Sequence, residues 1–320
     1  HKRNFTSHCK IPEPQLAYAV IFGCIMVLGL PLNAVSLWIL LRRHSLKSPN
    51  VVFMINLAVS DLLLIIALPL RIYSHATGTW TFNPVVCKIA NLLLYMNIRT
   101  SSIFITFLSV DRLLAVVYPL RSRRVRTASN AMKAAALAWL TVLLINITAV
   151  VNLSRDSNKY TESFCFIRGP DKQDLPLIEL IPHIAIFQLV LLVTLLTVNV
   201  VSTFLVSWTL HKHLSDCVRV NNKVNVLLLY VMNLMIFTVC FLPWTVGLFI
   251  SGLHTYLLCL ATANCCLDPL LYYFSLDTRG VKPSQFYLFE LFPTYITSSP
   301  KQSRRGSCLF TCFTSFSYFL

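Results

Sequence analysis

The sequence predicts an all-α membrane protein, a seven-transmembrane helix bundle whose N-terminus is extracellular. The chain has 320 residues, of which 56% are hydrophobic and only 12% are charged. A soluble domain of this size would need more charge to cover its surface. Seven apolar segments reach the length of about 20 residues that a helix needs to cross a bilayer. Lysine and arginine concentrate in alternate connectors, which places those connectors in the cytoplasm.

The seven segments divide the chain into an extracellular tail, 1–15, a transmembrane domain, 16–274, and a cytoplasmic tail, 275–320, which we expect to be disordered. In chain order, the segments are Leu16–Leu41, Val51–Tyr73, Val85–Val117, Ala131–Val151, Leu177–Leu210, Val224–Leu253 and His254–Phe274. Each is an apolar run bounded by polar residues, so we expect a multi-pass protein of the plasma membrane.

The connectors set the direction of each helix. The outer connector from Ser74 to Val86 has no lysine or arginine, whereas all three inner connectors are basic. The first helix therefore runs inward, and the following six alternate in direction. The cations of the inner connectors include Arg42, Arg43, Lys47, Arg121, Arg123, Arg124, Arg126, Lys212, Arg219 and Lys223.

The formal net charge of +15 would suit a nucleic-acid-binding protein, but its distribution argues against that class. Nucleic-acid binding needs a basic patch on a soluble domain, and the sequence offers none. A basic inner rim instead attracts the anionic head groups of membrane lipids.

The outer side carries the expected covalent modifications. Cys87 begins the third segment on the outer side, and Cys165 lies in the longest outer loop. Because both face an oxidising compartment, we expect a Cys87–Cys165 disulfide. Asn4 begins an Asn-Phe-Thr triplet in the outer tail, which is a glycosylation acceptor pattern.

Polar side chains interrupt the second, third and seventh segments. A single Asn or Ser in a membrane helix usually makes an interhelical hydrogen bond. Two carboxylates, however, need donors, a proton or a cation. These polar residues form a cluster that favours an allosteric sodium ion. The alternative is a structural hydrogen-bond network in which one carboxylate is partly protonated. No other cofactor is expected. Its members are Asp61, Asn97, Ser101, Asn264 and Asp268.

An ionisable pair, Asp111–Arg112, closes the third segment immediately before the basic inner connector. Charge at that depth is costly unless it faces protein or water, so the pair is a functional-site hypothesis. Pro69, Pro243 and Pro269 each remove a helical hydrogen bond and predict bends in their helices.

The chain resembles the rhodopsin-like G-protein-coupled receptors between about Leu16 and Phe274. Together the motifs, in this order and topology, are specific for that family. They are G-L-P-L-N-A-V with Asn33, N-L-A-V-S-D-L-L-L with Asp61, Cys87, S-V-D-R with Asp111 and Arg112, Trp139, F-T-V-C-F-L-P with Phe241 and Pro243, and D-P-L-L-Y-Y with Asp268, Pro269 and Tyr272.

The resemblance implies a signalling mechanism. A ligand bound outside would move the sixth helix outward and open an inner cavity for a heterotrimeric G protein. Arg112 would leave Asp111 to contact the G protein. Pro119 and Leu120 would dock against that partner, Phe241 would act as the toggle below the ligand, and Tyr272 would swing inward.

Within the family, L-P-L-R-I-Y, N-C-C-L-D-P-L-L-Y-Y-F and V-Y-P-L-R-S-R resemble the lysophosphatidic acid receptors of the purinergic-receptor-like branch and their orphan relatives. That likeness implies an anionic lipid, or a small organic anion or nucleotide, as ligand. Arginine binds phosphate or carboxylate bidentately. The expected ligand residues are Arg71, Arg99, Lys88, Arg168 and His183.

Arg99 departs from the family pattern, because related carboxylate-sensing receptors have their arginine where this chain has Ile98. One residue rotates a side chain by about 100° around a helix. Arg99 therefore faces either the ligand or the fifth helix, where it would partner backbone carbonyls or buried polar groups.

The connection between the sixth and seventh helices is short, since only 25 residues lie between Pro243 and Pro269. This leaves a receptor-derived protein with impaired signalling as an alternative. A transporter would require internal repeats or matched helix breaks, which we do not find. An enzyme would require a nucleophile with a base or a metal-ligand set, and the sequence shows neither.

Overall fold

The structure is a computed structural model that describes residues 16–78, 80–156, 175–212, 220–249 and 254–277. These residues belong to a unit that runs from His1 to Gly280. Every regular element within the described residues is a helix. The all-α fold class predicted from the apolar segments is therefore confirmed.

Nine α-helices and two short helices of other types account for the described elements. They are α1 (Leu16–Arg43), α2 (Pro49–Thr77), α3 (Pro84–Val117), a 3₁₀ turn (Arg121–Arg124), α4 (Ala128–Asp156), α5 (Leu175–Lys212), α6 (Val220–Met235), a π-helical turn (Ile236–Phe241), α7 (Leu242–Gly247), α8 (His254–Thr262) and α9 (Asn264–Asp277). We call the run from α6 to α7 the sixth span and the pair α8 and α9 the seventh span.

Helix ends follow local chemistry. Pro49 and Pro84 occupy the first turns of α2 and α3, where a missing N–H costs nothing. The Asn83 side chain caps α3 by accepting a 2.8 Å hydrogen bond from the Val85 N–H. Gly78 ends α2 with φ 68°, a left-handed conformation that suits glycine, and its N–H bonds to the Ser74 carbonyl.

The sixth span is long and apolar enough to cross a membrane, but it is not a uniform helix. Its π-helical turn lies just before Pro243, and the Leu242 N–H bonds to the Phe237 carbonyl, five residues back. A proline ring clashes with the carbonyl four residues earlier, here that of Val239. Widening the helix at that point relieves the clash, so the bend predicted at Pro243 takes the form of a π-helical turn.

The seventh segment, expected as one helix over His254–Phe274, is interrupted at Ala263 and continues to Asp277. The Ala263 N–H bonds to the carbonyls of Cys259 and Leu260, and the Cys266 N–H bonds back to the Ala263 carbonyl. Neither α8 nor α9 alone is long enough to cross a membrane. Each of the first six predicted segments, by contrast, coincides with a helical run that is long and apolar enough to do so.

The helices pack around α2 and α3. The third helix contacts α2, α4, α5 and α6, and α9 contacts α1, α2 and α6. Across one of these contacts, Asn33 of α1 donates a 2.7 Å hydrogen bond to the Cys265 carbonyl of α9. The outward faces carry exposed apolar side chains, as expected of helices surrounded by lipid. Examples are Val27, Trp38, Ile66, Leu137, Phe204 and Trp208.

Candidate functional site

The outer half of α2 places a buried arginine between α1 and α3. Arg71 is 3% exposed, and its Nη2 donates a 2.6 Å hydrogen bond to Oδ1 of Asn91 on α3. Its guanidinium carbon lies 6.0 Å from the centre of the Phe22 ring on α1, a distance at which a cation attracts an aromatic face. A guanidinium fixed in this way is suited to bidentate binding of a phosphate or carboxylate.

His75 lies one helical turn beyond Arg71 and is fully enclosed. Its ring stacks on Phe22 at 5.6 Å between centroids and lies 5.7 Å from the ring of Tyr18. Neither ring nitrogen makes a hydrogen bond within the described residues. The aromatic side chains of α1 thus hold this histidine and Arg71 on the same side of α2.

Arg99 points toward α4 and α5. Its Nε donates a 2.9 Å hydrogen bond to Oε1 of Gln188, and its Nη1 donates one of 2.5 Å to Oδ1 of Asn146. Of the two orientations that the sequence left open, the structure has the one toward the fifth helix and buried polar groups. The partners are side-chain amides rather than backbone carbonyls.

Of the other expected ligand residues, Lys88 has a described side chain. Lys88 is half-buried on the first turns of α3. Cys87 is disulfide-bonded, and its expected partner Cys165 lies outside the described residues, as do Arg168 and Asn4. His183 belongs to α5, but its side chain also lies outside the described part.

The middle of the bundle holds the polar pocket expected from the sequence. Asn97 of α3 donates hydrogen bonds to Oδ1 of Asp61 at 2.9 Å and to the hydroxyls of Ser60 and Ser101, both at 3.2 Å. All four side chains are at most 1% exposed. The second and third helices are therefore joined through one amide group.

The seventh span adds a second carboxylate close enough to Asp61 to interact with it electrostatically, that of Asp268 on α9. In the described residues, several enclosed oxygens of these side chains have no hydrogen-bond donor. They are Oδ2 of Asp61, Oδ1 of Asn97 and both carboxylate oxygens of Asp268. Asn264, one turn before Asp268, is also fully buried, and its side-chain amide makes no hydrogen bond to the described part of the chain. Such a set of oxygen acceptors suits a small hard cation.

At the end of α3, Asp111 has an ion pair that was not expected from the sequence. It accepts two hydrogen bonds from Arg126, from Nε at 2.9 Å and from Nη2 at 3.0 Å. The connector after α3 folds back and presents the planar guanidinium of Arg126 bidentately to the carboxylate. The expected role of Arg112, the neighbour of Asp111 in the chain, stays a prediction.

A neutral network begins at Ser109, two residues before Asp111, and joins three helices. Ser109 of α3 accepts a 2.6 Å hydrogen bond from Nδ2 of Asn233 on α6 and donates one of 2.6 Å to Oδ1 of Asn199 on α5. Tyr230 of α6 donates to the Ser109 carbonyl at 2.8 Å. All four residues are fully buried. We call these four residues the Ser109 network.

Above this network, aromatic rings line the sixth span. Phe241 is fully buried and packs edge-on against Phe237 at 5.5 Å. Trp244, just after Pro243, stacks at 6.1 Å and 28° on Tyr95 of α3. After α3, Pro119 and Leu120 are exposed, with Leu120 at 89%.

Most of the hydrogen-bond and ion-pair partners described above were not predicted from the sequence. Arg126 counted only as a cytoplasmic charge, and no partner role was predicted for Asn146. Gln188, Asn199 and Asn233 were not considered. The available signal was a polar side chain within an apolar helix, which by itself predicts an interhelical bond but does not name the partner.

The chain matches the family model of the seven-transmembrane receptor, rhodopsin family, over residues 32–272. It is 34% identical over 283 residues to lysophosphatidic acid receptor 6 of Mus musculus, which covers 82% of this chain and 81% of the relative. It is also 34% identical over 277 residues to lysophosphatidic acid receptor 4 of Homo sapiens, covering 81% and 74% of the two chains. A third relative, the S-geranylgeranyl-glutathione receptor P2RY8 of Homo sapiens, is 31% identical over 281 residues, which cover 82% of this chain and 77% of the relative.

Proposed function

We propose that this chain, which belongs to the rhodopsin family of seven-transmembrane receptors, senses an anionic lipid of the lysophosphatidic acid type and activates heterotrimeric G proteins. The family consists of receptors rather than enzymes, and its members are multi-pass proteins of the plasma membrane. The chain belongs to the branch of the lysophosphatidic acid receptors at modest identity. The ligand and the partner are our inference from that branch and from the buried cations.

The observation that carries the ligand class is the buried Arg71. An arginine keeps its charge at any physiological pH, so burying it without use would be costly. Its hydrogen bond to Asn91 and its contact with Phe22 hold the guanidinium in one place at the outer end of the bundle. The phosphate of a lipid head group would bind to this guanidinium, with Lys88, Arg168 and His183 as further expected contacts.

The conformational change caused by the ligand would be transmitted inward through α3. Tyr95 lies one turn from Asn91, is within electrostatic range of Arg71, and stacks on Trp244 of the sixth span. Movement of a ligand at Arg71 would therefore reach the sixth span just beyond Pro243 and Phe241. Outward motion of that span would separate Tyr230 and Asn233 of α6 from Ser109 of α3 and open the inner face.

At the inner face, Arg112, Pro119 and Leu120 would contact the G protein, with the N-terminus of the chain outside the cell. Tyr272 of the seventh span is fully buried, and its hydroxyl makes no hydrogen bond within the described residues. A swing inward would give it a partner. Pro269, inside α9, removes one backbone bond and would ease that movement.

A sodium ion would occupy the polar pocket in the inactive state. Asp61 and Asp268 would provide the charge, and Asn97, Ser101 and Asn264 would provide neutral oxygens. The ion would supply positive charge between two carboxylates that otherwise repel each other. A proton shared by the two carboxyl groups is the competing explanation.

G-protein dissociation in living cells tests the ligand class. The full chain and its Arg71→Gln variant are treated with lysophosphatidic acid, nucleotides and hydroxycarboxylates, with Arg42→Gln as the matched control at an exposed site. We expect a response to lysophosphatidic acid that is about 10- to 100-fold less potent in the Arg71 variant, because a hydrogen-bonded charge contact is lost. The Arg42 variant should respond like the parent chain.

Other outcomes are equally informative. A response to nucleotides or hydroxycarboxylates alone would identify the alternative ligand class. Silence toward every ligand, both in this chain and in one with a longer connection between the sixth and seventh spans, would identify a receptor-derived protein that does not signal. Unchanged potency in the Arg71 variant would contradict the head-group site.

A further inference from the structure

The space between α3, α4 and α5 holds a cation whose described partners are neutral. Arg99 is 6% exposed, and both of these partners, Gln188 and Asn146, are side-chain amides. Among the side chains that the structure describes, no carboxylate pairs with it. An ionisable group inside the membrane is expensive, and such groups mark ligand or ion sites by default. Arg99 is therefore a candidate for binding an anion.

The two amides are fixed as acceptors. Asn146 donates through Nδ2 to the Val142 carbonyl of its own helix at 2.7 Å, which turns its Oδ1 toward Arg99. Gln188 is 3% exposed and faces Nε of the same guanidinium. A guanidinium has five N–H groups. The amides use two of them, and the remaining three make no hydrogen bond to the described part of the chain.

This cation is separate from the one in the proposed head-group site. Arg71 bonds to Asn91, and Arg99 lies eight residues further along α3. Eight residues correspond to about 12 Å along a helix and about 80° around it. A single head group held by Arg71 and Asn91 does not fill both places.

We propose that Arg99, Asn146 and Gln188 form a binding site for a carboxylate, distinct from the site at Arg71 and independent of the proposed signalling function. One guanidinium cancels one negative charge, and the amides add none. A carboxylate carries one charge, whereas a phosphate monoester carries about 1.5 to 2 near neutral pH. Excess charge is penalised in a low-dielectric interior, so the site favours the monoanion.

The test measures binding to the purified full-length protein in a non-ionic detergent, by the melting temperature. Three probes share one apolar chain and differ in head group: octanoate, octyl phosphate and octanol. We expect octanoate to raise the melting temperature saturably and more than either other probe. In Arg99→Gln the apparent affinity for octanoate should fall about tenfold or more, while Arg123→Gln, a change at an exposed arginine, should keep it.

Two further variants keep the result interpretable. Arg99→Met removes a buried charge and retains the length of the side chain, so it should fold even where the Gln variant does not. Arg99→Lys keeps the charge without the planar fork and should retain part of the octanoate effect. A purely structural Arg99 would change the melting temperature without ligand and leave the octanoate shift unchanged.

The proposal is overturned if octanoate and octanol shift the parent protein equally, or if Arg99→Met keeps the octanoate-specific shift. A larger shift with octyl phosphate that depends on Arg99 would overturn the assignment to a carboxylate. None of these measurements depends on G-protein activation, so this site and the head-group site are tested separately.

Discussion

Asp111 is 4% exposed, and both of its oxygens accept hydrogen bonds from Arg126. The arginine is more accessible, at 26%, so the pair sits at the surface of the bundle, beside the end of α3. The carboxylate is thereby held by the connector between α3 and α4.

Arg126→Gln should therefore destabilise the protein, because a buried carboxylate loses its charged partner. We expect a loss of about 1 to 3 kcal/mol in the free energy of unfolding, seen as a lower melting temperature of the purified protein. Arg123→Gln changes an exposed arginine of the same connector and serves as the control. Equal melting temperatures for the two variants would show that the pair contributes nothing.

At the scale of elements, the Ser109 network ties α6 to α3 and α5 by uncharged groups. Its bonds of 2.6 to 2.8 Å lie in a fully buried region, where an unmade hydrogen bond is costly. Helix α6 continues into the π-helical turn that precedes Pro243. The network thus holds the part of the sixth span that lies before this turn.

Asn233→Leu should raise basal G-protein activation, because it removes the side-chain bond between α6 and Ser109. A loss of one to two kcal/mol corresponds to about 5- to 30-fold in the equilibrium between the two states. Thr238→Val is the matched control, since Thr238 is exposed and bonds only to backbone carbonyls of its own span. The measurement is G-protein dissociation without ligand at equal surface expression.

Unchanged basal activity in the Asn233 variant, with normal folding, would show that the network is structural only. The same substitution should leave the affinity for octanoate at Arg99 unaltered, because that cluster contacts α4 and α5 rather than α6.

The positions of the helices follow from their sequence, whereas their irregularities do not. The length of each apolar segment predicts the first six spans, because a helix needs about 20 apolar residues to cross the membrane. A proline predicts a bend, as at Pro243, but the neighbouring helices decide whether it becomes a kink or a π-helical turn. The interruption at Ala263 has no such signal, since neither glycine nor proline occupies that position.

At the scale of the whole molecule, the candidate sites join residues that are far apart in the chain. Asp61 and Asp268 are both recognisable from their motifs, so the polar pocket could be predicted from the sequence. The partners of Arg99 are 47 and 89 residues away on other helices. Which face of each helix turns inward depends on packing that spans the entire bundle, and this is why Asn146 and Gln188 could not be predicted.

The polar pocket gives a prediction for the molecule as a whole, because it connects α2, α3 and α9. Sodium chloride should raise the melting temperature relative to choline chloride at the same concentration. The gain is about 1.4 kcal/mol when the ion is at ten times its Kd. Asp61→Asn should abolish the difference between the two salts.

The control for this prediction is Asp111→Asn, which removes a carboxylate outside the pocket and should keep the sodium effect. A parent protein that melts at the same temperature in both salts would contradict the ion and favour the protonated network.

The stacking of Trp244 on Tyr95 has an optical consequence. Trp244 is 2% exposed and lies on the far side of the bend in the sixth span, against a ring that belongs to α3. Indole emission depends on the polarity around the ring and on nearby quenching groups. With the other four tryptophans replaced, the intrinsic fluorescence of Trp244 would follow the separation of the sixth span from α3 without any attached dye.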